Sequence, residues 1–312
     1  MQCFIACIQK EEMPQKAQKL ANMTYPVIAK SCNKLLIGKT YWKSIALPSI
    51  LYGTNVMQLT DTEIGKLQTI ENSVYRQILG APKYATNATL RGEIGASSMR
   101  KRIIESRLKY MKSIDTGRNR LLISILCATK RFGRWQEWFK TTQKYVNEIN
   151  QTFESLEVMS VNEIKRKLND YDTERWKNEI NTKSSIKIYK DWKKEIKEEP
   201  IYDNRPESIT LYRARANCLP LMERNRHTGE NTQCPCGEGI ENLEHMLLQC
   251  QEYNEIRILT KELQRPYNEK PADVIGSFLF DTENIEEKKA VLHKIWRKRE
   301  ARARHARDGN AQ

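Results

Sequence analysis

The sequence predicts a mainly α chain: a helical bundle and a helical connector, then a small zinc knuckle, then a basic C-terminal helix. Three observations predict it. Apolar residues recur at helical spacing through most of the chain. Only 13 Gly and 10 Pro punctuate 312 residues, too few for a turn-rich β architecture. Three of the eight Cys and one of the four His fall between residues 234 and 250, a grouping that points to a metal rather than to core packing.

Taken in order, residues 31–59 carry Leu35, Leu36, Ile37, Tyr41, Trp42, Ile45, Ala46 and Leu47 as an apolar stripe that Pro48 and Gly53 interrupt, which predicts a buried, bent helix. Thr60-Asp61-Thr62-Glu63 has capping-box spacing. Ile64, Leu67, Ile70, Val74 and Ile78 then share one face until Gly80 and Pro82 end the pattern. Another helix is expected from Ser97 and Ser98 through Ile103, Ile104, Leu108 and Met111, with Arg100, Lys101, Arg102, Arg107 and Lys109 as a basic face. Between residues 121 and 146, Arg131, Phe132, Arg134, Trp135, Trp138, Phe139, Lys140, Lys144 and Tyr145 interleave aromatic and basic side chains. Such residues suit base stacking beside phosphates, but the helical period of Trp135, Trp138 and Phe139 favours core.

Ser160-Val161-Asn162-Glu163 again has cap spacing, ahead of Ile164 and Leu168. Trp176 with Ile180, and Ile186 with Tyr189, Trp192 and Ile196, mark two more amphipathic helices in a charged connector. Residues 200–206 read as a boundary. A helix over 211–219 follows, in which Arg213 and Arg215 sit among apolar residues.

Lys plus Arg number 53 against 39 Asp plus Glu, a net charge of +14 that favours a polyanionic partner. The bland alternative is that the charge serves solubility alone. No stretch approaches the roughly 20 apolar residues that span a bilayer, and the run Cys3 to Ile8 is too short for an export signal. The expectation is therefore a reduced intracellular setting, nucleus or cytoplasm, with no membrane role and no secretion. There, grouped Cys mean metal, while the scattered Cys3, Cys7, Cys32, Cys127 and Cys218 are structural.

Cys234, Cys236, His245 and Cys250 have the spacing C-x-C-x8-H-x4-C. Three thiolates and one imidazole complete a tetrahedral shell with no position left for water, the arrangement of a structural Zn2+ rather than a hydrolytic one. Pro235 holds the first pair in a tight turn, Gly237 and Gly239 let backbone amides approach the sulfurs, and residues 241–249 read as a short helix burying Leu243, Met246 and Leu247. Reduced core thiols beside an incidental His are the alternative, but a segment this small has almost no core without a metal. Beyond it, residues 288–307 hold nine Lys or Arg and a single Glu. Ile285, Leu292, Ile295 and Trp296 pack one side of this helix. Lys294, Arg297, Lys298, Arg299, Arg302 and Arg304, with Arg213 and Arg215, are the candidate nucleic-acid contacts. A nuclear address or a solvated tail are the other readings.

Leu47-Pro48-Ser49-Ile50-Leu51-Tyr52-Gly53, the helix from Lys66-Leu67-Gln68-Thr69-Ile70-Glu71 to Arg76-Gln77-Ile78-Leu79-Gly80, and the C-C-H-C segment occur in that order. Together they resemble the C-terminal part, thumb plus zinc knuckle, of non-LTR (LINE-like) retrotransposon reverse transcriptases, over residues 25–255. The resemblance implies the end of a palm and the approach to the thumb at 1–59 and a thumb-like module at 60–150. A charged connector at 151–232, the knuckle at 233–253 and C-terminal helices with a basic tail at 254–312 follow. It implies that the four Cys and His residues hold zinc and that the preceding helices hold element RNA template or primer duplex.

The departure concerns chemistry. The family's palm needs a tyrosine-x-aspartate-aspartate turn and an upstream aspartate to hold two Mg2+ ions for in-line displacement, and this chain has no adjacent Asp pair. Mg2+ therefore belongs to the parent polymerase and not to this chain. Asp170 and Asp172, around Tyr171, read as helix-terminus residues. The chain is then expected to be a non-catalytic RNA- or DNA-binding piece of a truncated element, with the palm and fingers of a longer polymerase as a further partner. A zinc-containing protein-interaction adaptor with no nucleic-acid role is the alternative.

Overall fold

The computed structural model describes residues 2–31, 33–115, 136–264 and 269–309. The protein is mainly helical, and among the described residues the β pairing is one isolated antiparallel bridge, Gln233 to Ile240. No helix among them is long and apolar enough to cross a membrane.

Helix α1 (Gln2–Ala29) was not expected, because Pro14 and Pro26 lie inside it. Proline removes a helix hydrogen bond, yet Met13, Ala17, Ala21, Thr24 and Ile28 form a buried stripe at helical spacing, and burial outweighs the break. The small Ala17 and Ala21 let the next segment pack closely. That segment is α2 (Lys34–Tyr41), whose first turn is capped by Asn33 Oδ1 accepting the Leu36 N–H at 3.0 Å. It runs through a π turn, Trp42–Ala46, into α3 (Leu47–Leu51). In the π turn the Leu47 N–H reaches back to the Trp42 carbonyl, a widened register that accommodates the donor-less Pro48. Gly53, with φ +79°, ends the run. The helix is bent as expected but only half buried: Trp42, Ala46, Leu47 and Ile50 face inward while Leu36, Ile45 and Tyr52 are exposed.

Helix α4 (Asp61–Leu79) begins with the expected capping box: the Thr60 N–H donates to Glu63 at 2.7 Å and the Glu63 N–H to Thr60 Oγ1 at 3.3 Å. Ile64, Leu67, Val74 and Ile78 are buried, and Gly80 turns the chain with φ +61°. Then come α5 (Asn87–Ile94), α6 (Met99–Asp115), α7 (Gln136–Glu148), α8 (Phe153–Val158) and α9 (Val161–Asn181). Helix α9 is capped as expected, with the Ser160 and Glu163 N–H groups each bonding the other's side chain. Trp176 and Ile180 belong to this same helix rather than to a separate one. Ile104 and Leu108 of α6, Tyr145 and Val146 of α7, Ile149, Leu156 of α8, and Ile164 and Leu168 of α9 form one apolar cluster. Trp138 is buried and Phe139 meets it edge-on at 5.2 Å, in keeping with core. Arg131, Phe132, Arg134 and Trp135 lie outside the described residues.

Two expectations for this region need correction. The cations of α6 do not form an open basic face. Arg107 is fully buried, donating to the Met57 carbonyl and lying 5.3 and 5.4 Å from the Trp138 and Tyr145 ring centres. Arg100 is clamped by Glu148 and Asp61, Arg102 pairs with Glu71, and Lys101 bonds Asn169. Neighbouring helices and the turn before α4 supply these partners, so local sequence does not reveal them. Asp170 and Asp172 are not at a helix terminus but in the middle of α9. Asp172 is buried and serves the end of another helix, accepting from Ser98 N at 3.1 Å and Ser98 Oγ at 2.5 Å at the start of α6. Asp172→Ala strands both donors; a loss of about 1–3 kcal/mol is expected, and an unchanged denaturation midpoint would refute this role.

The chain divides into two compact units: Met1–Tyr75, Glu93–Glu179 and Ile196–Glu198 form the first, and Arg76–Gly92, Ile180–Glu195 and Glu199–Gln312 the second. The second contains α10 (Lys187–Trp192), α11 (Pro206–Arg215), α12 (Asn254–Arg257), α13 (Pro271–Phe280) and α14 (Ile285–Gly309). Helix α10 stops at Trp192, short of Ile196. Helix α11 starts earlier than expected because Pro206 fits its first turn, and it ends where Asn217 turns left-handed with φ +44°. Its buried Leu211, Tyr212 and Ala214, with Phe278 and Leu279 of α13 and Leu292, Ile295 and Trp296 of α14, make the core of this unit.

Asp203, ahead of α11, accepts from Ser208 Oγ at 2.6 Å and Arg205 Nε at 2.7 Å, with Lys289 at 3.7 Å. Burial raises its pKa, but these donors outweigh burial and hold it at about 2, below the ordinary 3.8. Its contribution to stability is present in full above about pH 4 and is lost as pH falls through about 2. Asp203→Asn is therefore expected to lower stability at neutral pH and to match the parent near pH 2. A gap between the two that persists in acid would contradict this.

Candidate metal centre and basic helix

A short set of backbone hydrogen bonds shapes the segment that carries the four candidate ligands. The Gln233 to Ile240 bridge, with Glu241 N–H donating to the Thr232 carbonyl at 3.0 Å and Cys234 N–H to the Gly239 carbonyl at 2.7 Å, closes a tight loop. Gly237 N–H donates to the Cys234 carbonyl at 2.9 Å, and its φ of +83° is what lets the loop reverse. The Glu238 N–H approaches Cys236 Sγ at 3.5 Å, the kind of amide-to-sulfur contact that stabilises a thiolate.

A helical turn carries the second pair of ligands. Asn242 caps it, its Oδ1 accepting the His245 N–H at 2.7 Å. The turn is a π turn over His245–Gln249, with Cys250 N–H bonded to the His245 carbonyl at 2.8 Å; the helical stretch starts at residue 243 rather than at 241. Leu243, Met246 and Leu247 are buried as expected.

Cys234 Sγ and Cys250 Sγ stand 3.9 Å apart, Cys236 Sγ and His245 Nε2 3.2 Å apart, and all four ligand atoms lie within 4.8 Å of one another. They can share one metal ion. Cys234, His245 and Cys250 are buried and Cys236 is half-buried. Burial pushes the Cys234 thiol up to about 12 and Cys250 above its ordinary range. Thiolates are thus disfavoured here unless a cation compensates them, and a bound metal would displace protons from this site. Arg257, buried, donates to the Cys250 carbonyl at 2.5 Å and fixes the last ligand's peptide. Cys218 is buried with its thiol pushed up to about 12, as a structural cysteine. Cys32 and Cys127, and the side chains of Cys3 and Cys7, lie outside the described residues.

The structure reveals a connection that the sequence did not. Glu241, buried at the end of the loop, accepts from Arg299 of α14 through both carboxylate oxygens at 2.9 and 2.6 Å, and from the Met222 N–H at 2.9 Å. A glutamate five residues past the first ligand pair gives no sequence signal of this role, because its partner is 58 positions away.

The eight candidate cations separate accordingly. Arg215 is buried, donating to the Leu279 carbonyl at 2.7 Å with its guanidinium 4.7 Å from the Phe280 ring centre, and Arg213 grips the Gly80 carbonyl at 2.8 and 3.0 Å. Both serve the fold of the second unit, a correction to their place among surface contacts. Arg299 is committed to Glu241, and Lys298 donates to the Glu252 carbonyl at 2.6 Å. Arg302 lies 3.4 Å from Glu252 and Arg297 3.9 Å from Glu300. Lys294, Arg297 and Arg304 are exposed. No family model, curated protein or solved structure matches this chain.

Proposed function

We propose that this chain is the nucleic-acid-binding C-terminal portion of a non-LTR-type reverse transcriptase, with one structural Zn2+ on Cys234, Cys236, His245 and Cys250 and no polymerase chemistry of its own. The observation that carries the reading is the convergence of those four ligand atoms within 4.8 Å in the unit that also carries the cationic helix α14. Three sulfurs and one imidazole suit Zn2+ and not the oxygen-seeking Mg2+ or Ca2+, and they fill a tetrahedral shell. With the metal bound, the loop end is fixed, and Glu241 holds Arg299 within the helix that presents Lys294, Arg297 and Arg304 to a phosphate backbone. The order of the Leu47 to Gly53 segment, the capped helix after it and the C-C-H-C loop supports the family. RNA, DNA or their hybrid is the partner, and the palm and fingers of a longer polymerase would supply catalysis.

Native mass spectrometry with titration of a labelled structured RNA at two salt concentrations tests this. One zinc per chain, lost in Cys236→Ser, and an affinity that falls steeply with salt are expected. Zinc without RNA affinity at physiological salt would instead support a protein-interaction adaptor.

A further inference from the structure

The second unit contains a groove of about 790 Å³ whose walls come from the metal loop, the segment before it and α14. At one side Tyr84, 48% exposed, lies under the guanidinium of Arg224, whose central carbon is 3.7 Å from the ring centre. This is face-to-face stacking distance. The stack is held at both ends: Tyr84 OH donates to the Cys218 carbonyl at 3.3 Å and Arg224 to the Asn217 carbonyl at 3.3 Å. Arg224 is itself exposed, so a preorganised, flat, cationic π surface faces solvent. Arg302 and Arg304 line the same groove from α14. Arg302 is half-buried and lies 3.4 Å from Glu252, whereas Arg304 is exposed.

Groups of this kind recognise a particular chemistry. A nucleobase stacks on an aromatic ring or a guanidinium plane whatever its identity, and adjacent arginines take the phosphates on either side. A duplex keeps its bases stacked inside and offers none to such a surface. Of the two acids on the groove wall, Glu241 is already neutralised by Arg299 and Glu300 lies 3.9 Å from Arg297, so the charge balance favours an anionic occupant. We propose that this groove binds single-stranded nucleic acid, stacking one unpaired base on the Tyr84 and Arg224 pair and holding neighbouring phosphates on Arg302 and Arg304. The proposal rests on the nucleic-acid reading above and adds strand state and residues to it.

The test uses the full metal-loaded chain, a fluorescent 12-nucleotide oligouridylate, and a duplex RNA of equal length. The single strand is expected to bind more tightly. Tyr84→Ala is expected to weaken it about ten-fold or more without changing the salt slope, because a stacking contact and no cation is lost, and Tyr84→Phe should bind like the parent. Arg302→Gln with Arg304→Gln should lower the salt slope by about 1.4, two phosphates at about 0.7 each on a single strand. Photocrosslinking of 4-thiouridine should mark Tyr84 or its neighbours. Retained zinc and melting temperature in each variant show that folding is intact. If single strands bind but Tyr84→Ala has no effect and crosslinks map to Lys294 and Arg297 outside the groove, the groove proposal falls while the nucleic-acid reading stands. If neither RNA binds, both fall.

Discussion

Replacing Cys250 by Ser, or stripping the metal with a chelator, is expected to unfold residues 233–253 while leaving most of the helix content in place. The loop has one β bridge and few backbone bonds of its own. A structural zinc contributes on the order of 10–16 kcal/mol in small metal-folded modules, as much as the whole stability of an ordinary domain. A segment that depends on such a ligand does not survive its removal. Hydrogen exchange should show the loss first at the amides of Cys234, Gly237 and Cys250, then at Met222, whose N–H is held by Glu241. Helix α14 should keep its apolar anchors Leu292, Ile295 and Trp296 and fray beyond Arg299. Unchanged exchange in a protein verified to be metal-free would mean that the loop is folded by its own contacts, and the metal role would be wrong.

The second large effect is expected in the first unit, at Glu71. This carboxylate is fully buried and accepts from Trp42 Nε1 at 3.1 Å, Tyr75 OH at 2.5 Å, Arg102 at 2.5 Å and Gln68 at 3.1 Å. Burial, with Glu71 beside it, pushes the Tyr75 hydroxyl well above its ordinary range, so it stays a neutral donor. Glu71→Ala leaves Arg102 facing a cavity with no counter-charge and strands the indole and phenol donors. Removing one partner of a buried pair costs about 3–5 kcal/mol, which for a unit of this size is about 6–20 °C in melting temperature. Glu71→Gln keeps an acceptor and should lose less. The double variant Glu71→Ala, Arg102→Ala should lose less than the sum of the singles, because the stranded charge is gone too. Strict additivity would show that the network is not a unit.

What could be read from the residues follows the range of the interactions. Caps are local, so Thr60 with Glu63 and Ser160 with Glu163 were legible as helix starts. The Cys and His cluster that could hold a metal was legible because C-x-C and the following His and Cys lie within one short segment. Helix α1 was hidden because its stabilisation is the tertiary burial of Met13, Ala17, Ala21 and Ile28, while its two prolines argue locally against it. The fates of Arg107, Arg213 and Arg215 were hidden for the same reason: a cation among apolar residues looks identical whether it meets solvent, a carbonyl or an aromatic face. Asp172 caps a helix 74 residues away, and Glu241 holds Arg299 across 58. Charge counting cannot find such pairs, and it overstates the basic surface by the number of cations they consume.

The division of the chain into interleaved stretches has a consequence for synthesis. A single cut anywhere between residues 76 and 198 divides both units, so neither can be released as one contiguous fragment. The ribosome meets the same order. The first unit has all its residues once position 198 is made, but the stretch Arg76–Gly92, with Ala85, Ala88 and Leu90 buried in the finished protein, belongs to a unit completed only by α14. At about 5–20 residues per second, that stretch waits on the order of 10–40 s for the rest of its unit. During that interval its buried side chains lack the rest of their unit, and residues 233–253 are made only after most of that wait has passed.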